Sequence, residues 1–405
     1  MVYPYLGDTT ATSVVISWAT RDAGAGEVRY SLDQTYSNVV AAVNSTYDGK
    51  YWHSATVTGL TADTTYYYKV YAGGYDVTPW LAVTFTTASE ATTSSFTFVA
   101  LGDGRPYTAS SLPSQGALDV AAEMGQYSFD LALHTGDIVN SGGICSGDDS
   151  SWNQYIRAYF DLYRGSMGDT PFYPSIGNHE LNGGSCGYQS YTDVYHLPGN
   201  GPSGDKEEYY SFDWGNAHFV TLDTNQNYSA GSTQYDWLVN DLQASTQPWK
   251  FVFFHHPPFS SGPNGSTSEV QTYLVPIFET HDVDVVFSGH DHHYERTCPI
   301  LNGACTTVQD GGVVYYVTGG AGAPLHTASG DWFTAYSDNL NHFLKVELND
   351  CLLHVDAIDV NGNVFDAYEI DRCGISTSTR TGVPLMSMRL ITASVLRQYQ
   401  HWFAQ

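Results

Sequence analysis

Asp284-Val285-Val286-Phe287-Ser288-Gly289-His290-Asp291-His292 decides how the chain is read: a short apolar run breaks at a glycine into a His-x-His pair. A run this short, bounded by turn residues and continuously apolar, reads as a strand buried on both faces. Four other stretches repeat the form: FTFVALGD (96–103), DLALHTGD (130–137), FYPSIGNHE (172–180) and WKFVFFHH (249–256). Each ends in residues able to bind a metal or a phosphate. AHFVTLDT (217–224) adds a further strand, and helix-like segments lie between: PSQGALDVAAEMGQ (113–126), SWNQYIRAYFDLYRG (151–165) and STQYDWLVNDLQAS (232–245). Strand alternating with helix predicts an α/β sheet. The segments 312–319, 342–348, 351–358 and 364–370 are strand-rich and are expected to add a second sheet.

Ligands of open α/β folds bind beyond the carboxyl ends of the strands, where the loops converge. One Gly-Asp is usually a turn, and one strand-end histidine is usually only hydrogen-bonded. Five such clusters in one chain point to a site. Asp103, Asp137, Asn178, His255, His290 and His292 offer two carboxylates, an amide oxygen and three imidazoles, without a thiolate. That mixed set suits Zn, Fe, Mn or Co better than Ca, which prefers oxygen alone. Two divalent ions less two aspartates would leave a charge of about +2, enough to hold a phosphate dianion. A carboxylate bridging ions about 3.5–4 Å apart leaves room for a water acidic enough to attack phosphorus in line.

Composition narrows the partners. Asp and Glu number 42 against 15 Lys and Arg, giving a formal net charge of −27. Such a surface repels nucleic acid and anionic membranes, so a basic-groove binder is excluded. It also repels phosphate esters, which therefore need a strong local positive site. No run approaches the roughly 18 apolar residues of a membrane span. MVYPYLGDTTATS (1–13) lacks a basic and apolar leader, so a secreted form is expected to have had its signal removed.

Six cysteines without a C-x-x-C pair suit disulfides in an oxidising compartment. Six allow fifteen pairings. We expect Cys298–Cys305 across a short loop, Cys351–Cys373 across a terminal hairpin and Cys145–Cys186 between two loops, with free buried thiols as the alternative. The expected location is extracellular or periplasmic. N-x-S/T sequons stand at Asn44, Asn227 and Asn264.

Residues 1–89 carry short alternating runs, SVVISWAT (13–20), GEVRYSL (26–32), HSATVTGL (53–60) and TYYYKVYAG (65–73), separated by turn residues. That rhythm predicts a small β-sandwich. Trp18 and the segment from Leu60 to Tyr68 resemble the fibronectin type III pattern, in which a Leu opens a corner and a Tyr packs over it. With no catalytic cluster of its own, this part is expected to be a spacer or a shield. TFTTASEATTS (84–94) reads as a linker. The tail 374–405 holds Arg380, Arg389 and Arg397 and no acid. It is expected to dock on the body, to bind a partner or to be an extension without a role.

The ordered motifs resemble the calcineurin-like metallophosphoesterases, and within them the purple acid phosphatases. The order is a D-x-G-like start in the 103–105 region (Asp103-Gly104-Arg105 here), Gly136-Asp137, GNHE (177–180), His255-x-Pro257 and GHxHxYER (289–296), and the resemblance covers roughly 95–373. It implies a catalytic domain of two mixed sheets flanked by helices, behind an all-β sandwich. It also implies metal one on Asp103, Asp137 and His292, and metal two on Asp137, Asn178, His255 and His290. His179 would then give a proton to the leaving oxygen or hold a phosphoryl oxygen. Arg105 is read as a phosphoryl clamp or as a salt-bridge partner of nearby acids. His256 and His293 are expected to turn away from the ligands by strand alternation. Tyr294 and Arg296 are expected to support the His-x-His turn, and His326 to come near the pocket.

Two departures matter. Purple enzymes carry a tyrosine ligand three residues after the bridging Asp, where this chain has Asn140. A paired His-His is also missing from SSGPNGS (260–266). The resemblance therefore implies a colourless relative acting on phosphomonoesters. The alternatives are a phosphodiesterase or nucleotide hydrolase on the same centre, and a non-catalytic cell-surface protein.

Overall fold

The computed structural model describes residues 1–78, 83–205 and 207–373; the tail 374–405 lies outside the described residues. Near the start, a four-stranded sheet (Val2–Thr9, Ser13–Thr20, Lys50–Thr58, Val43–Tyr47) faces a five-stranded one built on Gly26–Ser31 and Thr65–Ala72. Alternation makes the pair a sandwich: in Thr65–Ala72 every second side chain is buried, and Val14, Ile16, Trp18, Tyr68, Val70 and Phe85 share one apolar cluster. The expected corner is present. Leu60 is buried, and the Tyr66 hydroxyl accepts the Thr61 N–H at 3.0 Å.

This sandwich packs against the rest of the chain. Val2, Tyr5, Ala19 and Trp52 belong to the same buried cluster as Tyr159, Phe160 and Tyr195 further along the chain. Polar contacts fix the packing: Leu6 N–H donates to Met167 O (3.0 Å), Asp8 N–H to His196 O (2.7 Å) and the Tyr68 hydroxyl to Gly168 O (2.6 Å).

The rest of the fold is two mixed sheets. One has the order Phe172–Pro174, Leu131–His134, Ser95–Leu101, His342–Asn349, Leu352–Asp359, Val364–Asp371. Its first three strands are parallel and its last three antiparallel. The other has the order Tyr210–Trp214, Ala217–Thr221, Trp249–Phe253, Val285–Ser288, Val314–Thr318, Tyr294–Thr297, Thr334–Asp338, parallel in its middle four. Phe98 of the first sheet packs on Phe219 (5.3 Å), Phe251 (5.3 Å) and Phe287 (6.0 Å) of the second, so the sheets stack face to face. The expectation that the C-terminal strands form a sheet of their own is corrected. They extend the sheet of Ser95–Leu101 instead, through His342–Asn349, while Val314–Thr318 joins the other sheet. A run buried on both faces carries no mark of which neighbours it takes.

Two helices stand where the sequence predicts them, Gln115–Met124 and Thr233–Ala244. Each is capped by a serine hydroxyl that accepts a backbone N–H, Ser114 from Ala117 and Ser232 from Tyr235. The predicted helix over 151–165 is shorter. It runs Ser151–Tyr155 and then widens through Ile156–Phe160, burying both Tyr159 and Phe160. The cysteines pair as expected, Cys145–Cys186, Cys298–Cys305 and Cys351–Cys373. Among the described residues no helix is long and apolar enough to cross a membrane.

Candidate metal centre

Parallel register brings the candidate ligands to one edge. Leu101 pairs with His134, and Phe253 with Phe287, so Asp103, Asp137, His255 and His290 all leave their strands at the carboxyl ends. The loops are laced together. Asp103 N–H donates to Gly136 O at 3.0 Å and Gly289 N–H to His255 O at 3.0 Å. Asp103 (φ 61°), Asp137 (φ 56°) and His290 (φ 70°) all have left-handed backbone. Such conformations cost about 1–3 kcal/mol each and gather at functional sites. The preceding glycines are needed for space: a Cβ on Gly177 would collide with Asp137, and one on Gly289 with Asp103.

The six candidate ligands converge. His255 Nε2 lies 3.0 Å from Asn178 Oδ1 and 3.3 Å from Asp137 Oδ1. His290 Nδ1 lies 3.0 Å from Asn178 Oδ1 and 3.2 Å from His255 Nε2. His292 Nε2 is 3.5 Å from Asp103 Oδ1, and His290 N–H donates to Asp103 Oδ2 at 2.9 Å. Ligand atoms of Asp103, Asp137 and His255 all lie within 4.8 Å of one another. Burial opposes the Asp103 charge, but His292, His255 and His290 hold its carboxyl well below the usual range.

These residues fit metal ions. The His255 Nδ1–H donates to Thr135 O (2.9 Å) and the His292 Nδ1–H to Pro324 O (2.7 Å). In each neutral ring Nε2 is therefore the bare nitrogen, and each faces carboxylate or amide oxygen. Acceptors facing acceptors need a shared cation between them, a metal ion or a proton. Asp103 Oδ1 is likewise buried without a hydrogen-bond partner.

Around this cluster, His179 N–H donates to Asp137 Oδ1 (2.9 Å), and its ring Nδ1–H donates to Asn140 O (2.7 Å). That leaves His179 Nε2 3.9 Å from Asp137 Oδ2. Arg105 makes the salt bridge of one of its two readings. Its Nε is 3.5 Å from Asp137 Oδ2, buried and without a hydrogen bond, and its Nη1 donates to Asn140 Oδ1 at 3.2 Å. Asn140, in the tyrosine's place, thus turns its amide oxygen to Arg105.

Glu180 was not assigned a role from the sequence. It is fully buried and accepts the N–H groups of Asp137 (2.9 Å), Ile138 (2.7 Å), Val139 (3.1 Å) and Gly177 (2.6 Å). It thereby clamps two ligand-bearing loops together. His256 corrects an expectation. The strand ends at Phe253, so alternation no longer governs residue 256, and a ring nitrogen of His256 comes within 4.8 Å of ring nitrogens of His255 and His290. Burial, then His255 and His290, push its pKa down to about 3. His293 does turn away, to Glu295 at 3.2 Å. Tyr294 and Arg296 both bind Asp366 (2.6 and 2.7 Å), supporting the turn as expected. His326 stacks on His292, centroids 4.1 Å apart.

A fold of two mixed sheets with an oxygen–imidazole cluster at the strand ends defines a metallophosphoesterase. Comparison with known proteins agrees. The calcineurin-like phosphoesterase family matches residues 116–294, and the purple acid phosphatase N-terminal domain matches residues 2–88. A purple acid phosphatase of Glycine max is 28% identical over 350 residues, covering 79% of this chain and 71% of the relative. An Fe(3+)-Zn(2+) purple acid phosphatase of Arabidopsis thaliana is 27% identical, covering 78% of this chain and 70% of its own length. Other relatives are named probable inactive purple acid phosphatases. The fold matches a purple acid phosphatase from yellow lupin seeds with a TM-score of 0.79 at 20% identity, over 96% of this chain and 77% of that one. The chain thus carries a calcineurin-like phosphoesterase domain behind a purple acid phosphatase N-terminal domain, the plan of its purple acid phosphatase relatives, and is a phosphate-ester hydrolase.

Proposed function

We propose that the chain hydrolyses phosphate esters, chiefly phosphomonoesters, at a dinuclear centre. Asp103, Asp137 and His292 would hold one ion, and Asp137, Asn178, His255 and His290 the other, with Zn, Fe or Mn as candidates. The observation that carries this reading is the pair of bare imidazole nitrogens, on His255 and His292, facing the oxygens of Asp137, Asn178 and Asp103. Such ions supply Lewis-acid polarisation of the phosphoryl group and lower the pKa of water to about 7.

The protein's own groups would do the rest. Asn140 O orients His179 so that Nε2 faces the centre; protonated, it gives its proton to the departing ester oxygen. Arg105, drawn to the centre by Asp137, offers a cation to a phosphoryl oxygen. Glu180 keeps the Asp137 and Gly177 backbones in register. The catalytic unit is taken as 95–373, with 1–89 docked on it. Three disulfides support an extracellular or periplasmic location.

Diester or nucleotide hydrolysis on the same centre is the second reading. It is favoured by the loop 260–266, which carries no imidazole for a leaving group and is strapped down through Ser260 to Asp291 (2.5 Å) and Ser261 to Glu295 (2.7 Å). Parallel assays on p-nitrophenyl phosphate and bis-p-nitrophenyl phosphate with added Mn or Zn decide between the two. Faster turnover of the monoester is expected, and Asp137→Asn should lower it by at least about a hundredfold. Near wild-type turnover by Asp137→Asn at saturating metal would remove the bridge from the account. No hydrolysis of either ester by metal-loaded wild type would favour the non-catalytic reading.

A further inference from the structure

The loop from Gly319 to His326 is bound to the candidate ligands at several points. Ala321 N–H donates to Gly102 O (2.9 Å), Ala323 N–H to Asp103 O (2.8 Å), and His326 N–H to His292 O (2.7 Å). Pro324 O takes the His292 ring proton. The His326 ring lies almost parallel to that of His292, 19° apart with centroids at 4.1 Å. Its Nδ1 is engaged from two sides, 3.1 Å from His292 N–H and 3.1 Å from the buried Asp291 Oδ1. With Nδ1 accepting the His292 N–H, Nε2 carries the proton of the neutral ring and is left over as a donor. It has no hydrogen-bond partner among the described residues, and the side chain is 24% exposed.

We infer that His326 is a substrate-holding residue: its Nε2 takes an oxygen of the bound phosphate ester on the His292 side of the centre. This rests on the proposed hydrolysis. A ring packed only for structure would be buried or would have both nitrogens occupied. This one is fixed at Nδ1 and along one face, yet keeps its other nitrogen open beside a candidate ligand. His179 stands on the Asp137 side, so the two imidazoles would bracket the phosphoryl group from different sides. In a chain of net charge −27, an added donor there helps retain an anion.

The test compares wild type, His326→Ala and His326→Asn, each loaded with Mn or Zn. Three quantities are read: bound metal by elemental analysis, inorganic phosphate affinity by titration calorimetry, and KM and kcat for p-nitrophenyl phosphate. Unchanged metal content is expected for both variants. For His326→Ala, phosphate should bind about tenfold more weakly and KM should rise by a similar factor, because a hydrogen bond to a charged group is lost. His326→Asn, which keeps a donor, should recover part of the phosphate affinity. Loss of metal from His326→Ala would overturn the inference and make His326 a support for His292. Unchanged phosphate affinity would overturn it too. If wild type binds metal and phosphate but hydrolyses nothing, the proposed hydrolysis fails while the phosphate comparison still decides the role of His326.

Discussion

Glu180 carries a carboxylate into a site where only backbone meets it. Burial and the nearby Asp137 raise its pKa to about 8, while the N–H groups of Asp137, Ile138, Val139 and Gly177 favour the charged form. Glu180→Gln turns one acceptor into a donor aimed at those N–H groups, at about 1–3 kcal/mol for each buried group left unpaired. The variant is expected to lower the Tm by roughly 5 °C. Its metal affinity should fall about ten- to a hundredfold, measured by chelator competition. Wild-type values for both would show that the clamp is not needed. The sequence displays the GNHE motif yet is silent on this role, because a carboxylate whose partners are all backbone leaves no second residue type to notice. His256 escapes for another reason: the period of two applies only while the strand continues, and this strand stops at Phe253. Five of the six candidate ligands were legible because each follows a glycine or an apolar run, the signature of a strand giving way to a tight loop, and His292 because it completes the His-x-His pair.

At the scale of elements, each parallel strand feeding the centre was legible from its continuous apolar run, and two helices as the helix-like segments between strands. Sheet membership was not. Val285–Ser288 and Leu131–His134 look alike in sequence but lie in different sheets, since burial on both faces erases any record of neighbours. Phe98 joins the two sheets, fully buried against Phe219, Phe251 and Phe287. Phe98→Ala is expected to cost about 3–5 kcal/mol, read as a lower denaturant midpoint. A change under about 1 kcal/mol would mean that the sheets do not depend on this contact. The corner at Leu60 and Tyr66 was also foreseen, because it rests on local spacing.

For the molecule as a whole, acidity is the dominant trait, and one buried cation answers part of it. Burial alone would lower the pKa of His218, but Asp213 (2.6 Å) and Asp241 (2.8 Å) outweigh it and raise the value to about 9. The folded pKa lies above the unfolded value near 6.5. The contribution is therefore complete below about pH 6.5 and lost as pH rises through about 9. Its size is on the order of 3 kcal/mol. The Tm should fall between pH 6.5 and 9.5 in wild type and fall less in His218→Gln, as scanning calorimetry would show; equal slopes would contradict the assignment. The docking of the N-terminal sandwich on the catalytic unit was not legible. Nothing in the sequence around Val2, Tyr5 and Trp52 says that they pack against residues further along the chain.

The claim on which the rest stands is that this protein holds two metal ions at the strand ends. Elemental analysis of protein purified without added metal, and again after reconstitution with Zn, Mn or Fe, tests it most directly. The account predicts about two transition-metal ions per wild-type chain and a loss of at least one in Asp137→Asn. Fewer than one ion per wild-type chain after reconstitution would contradict it.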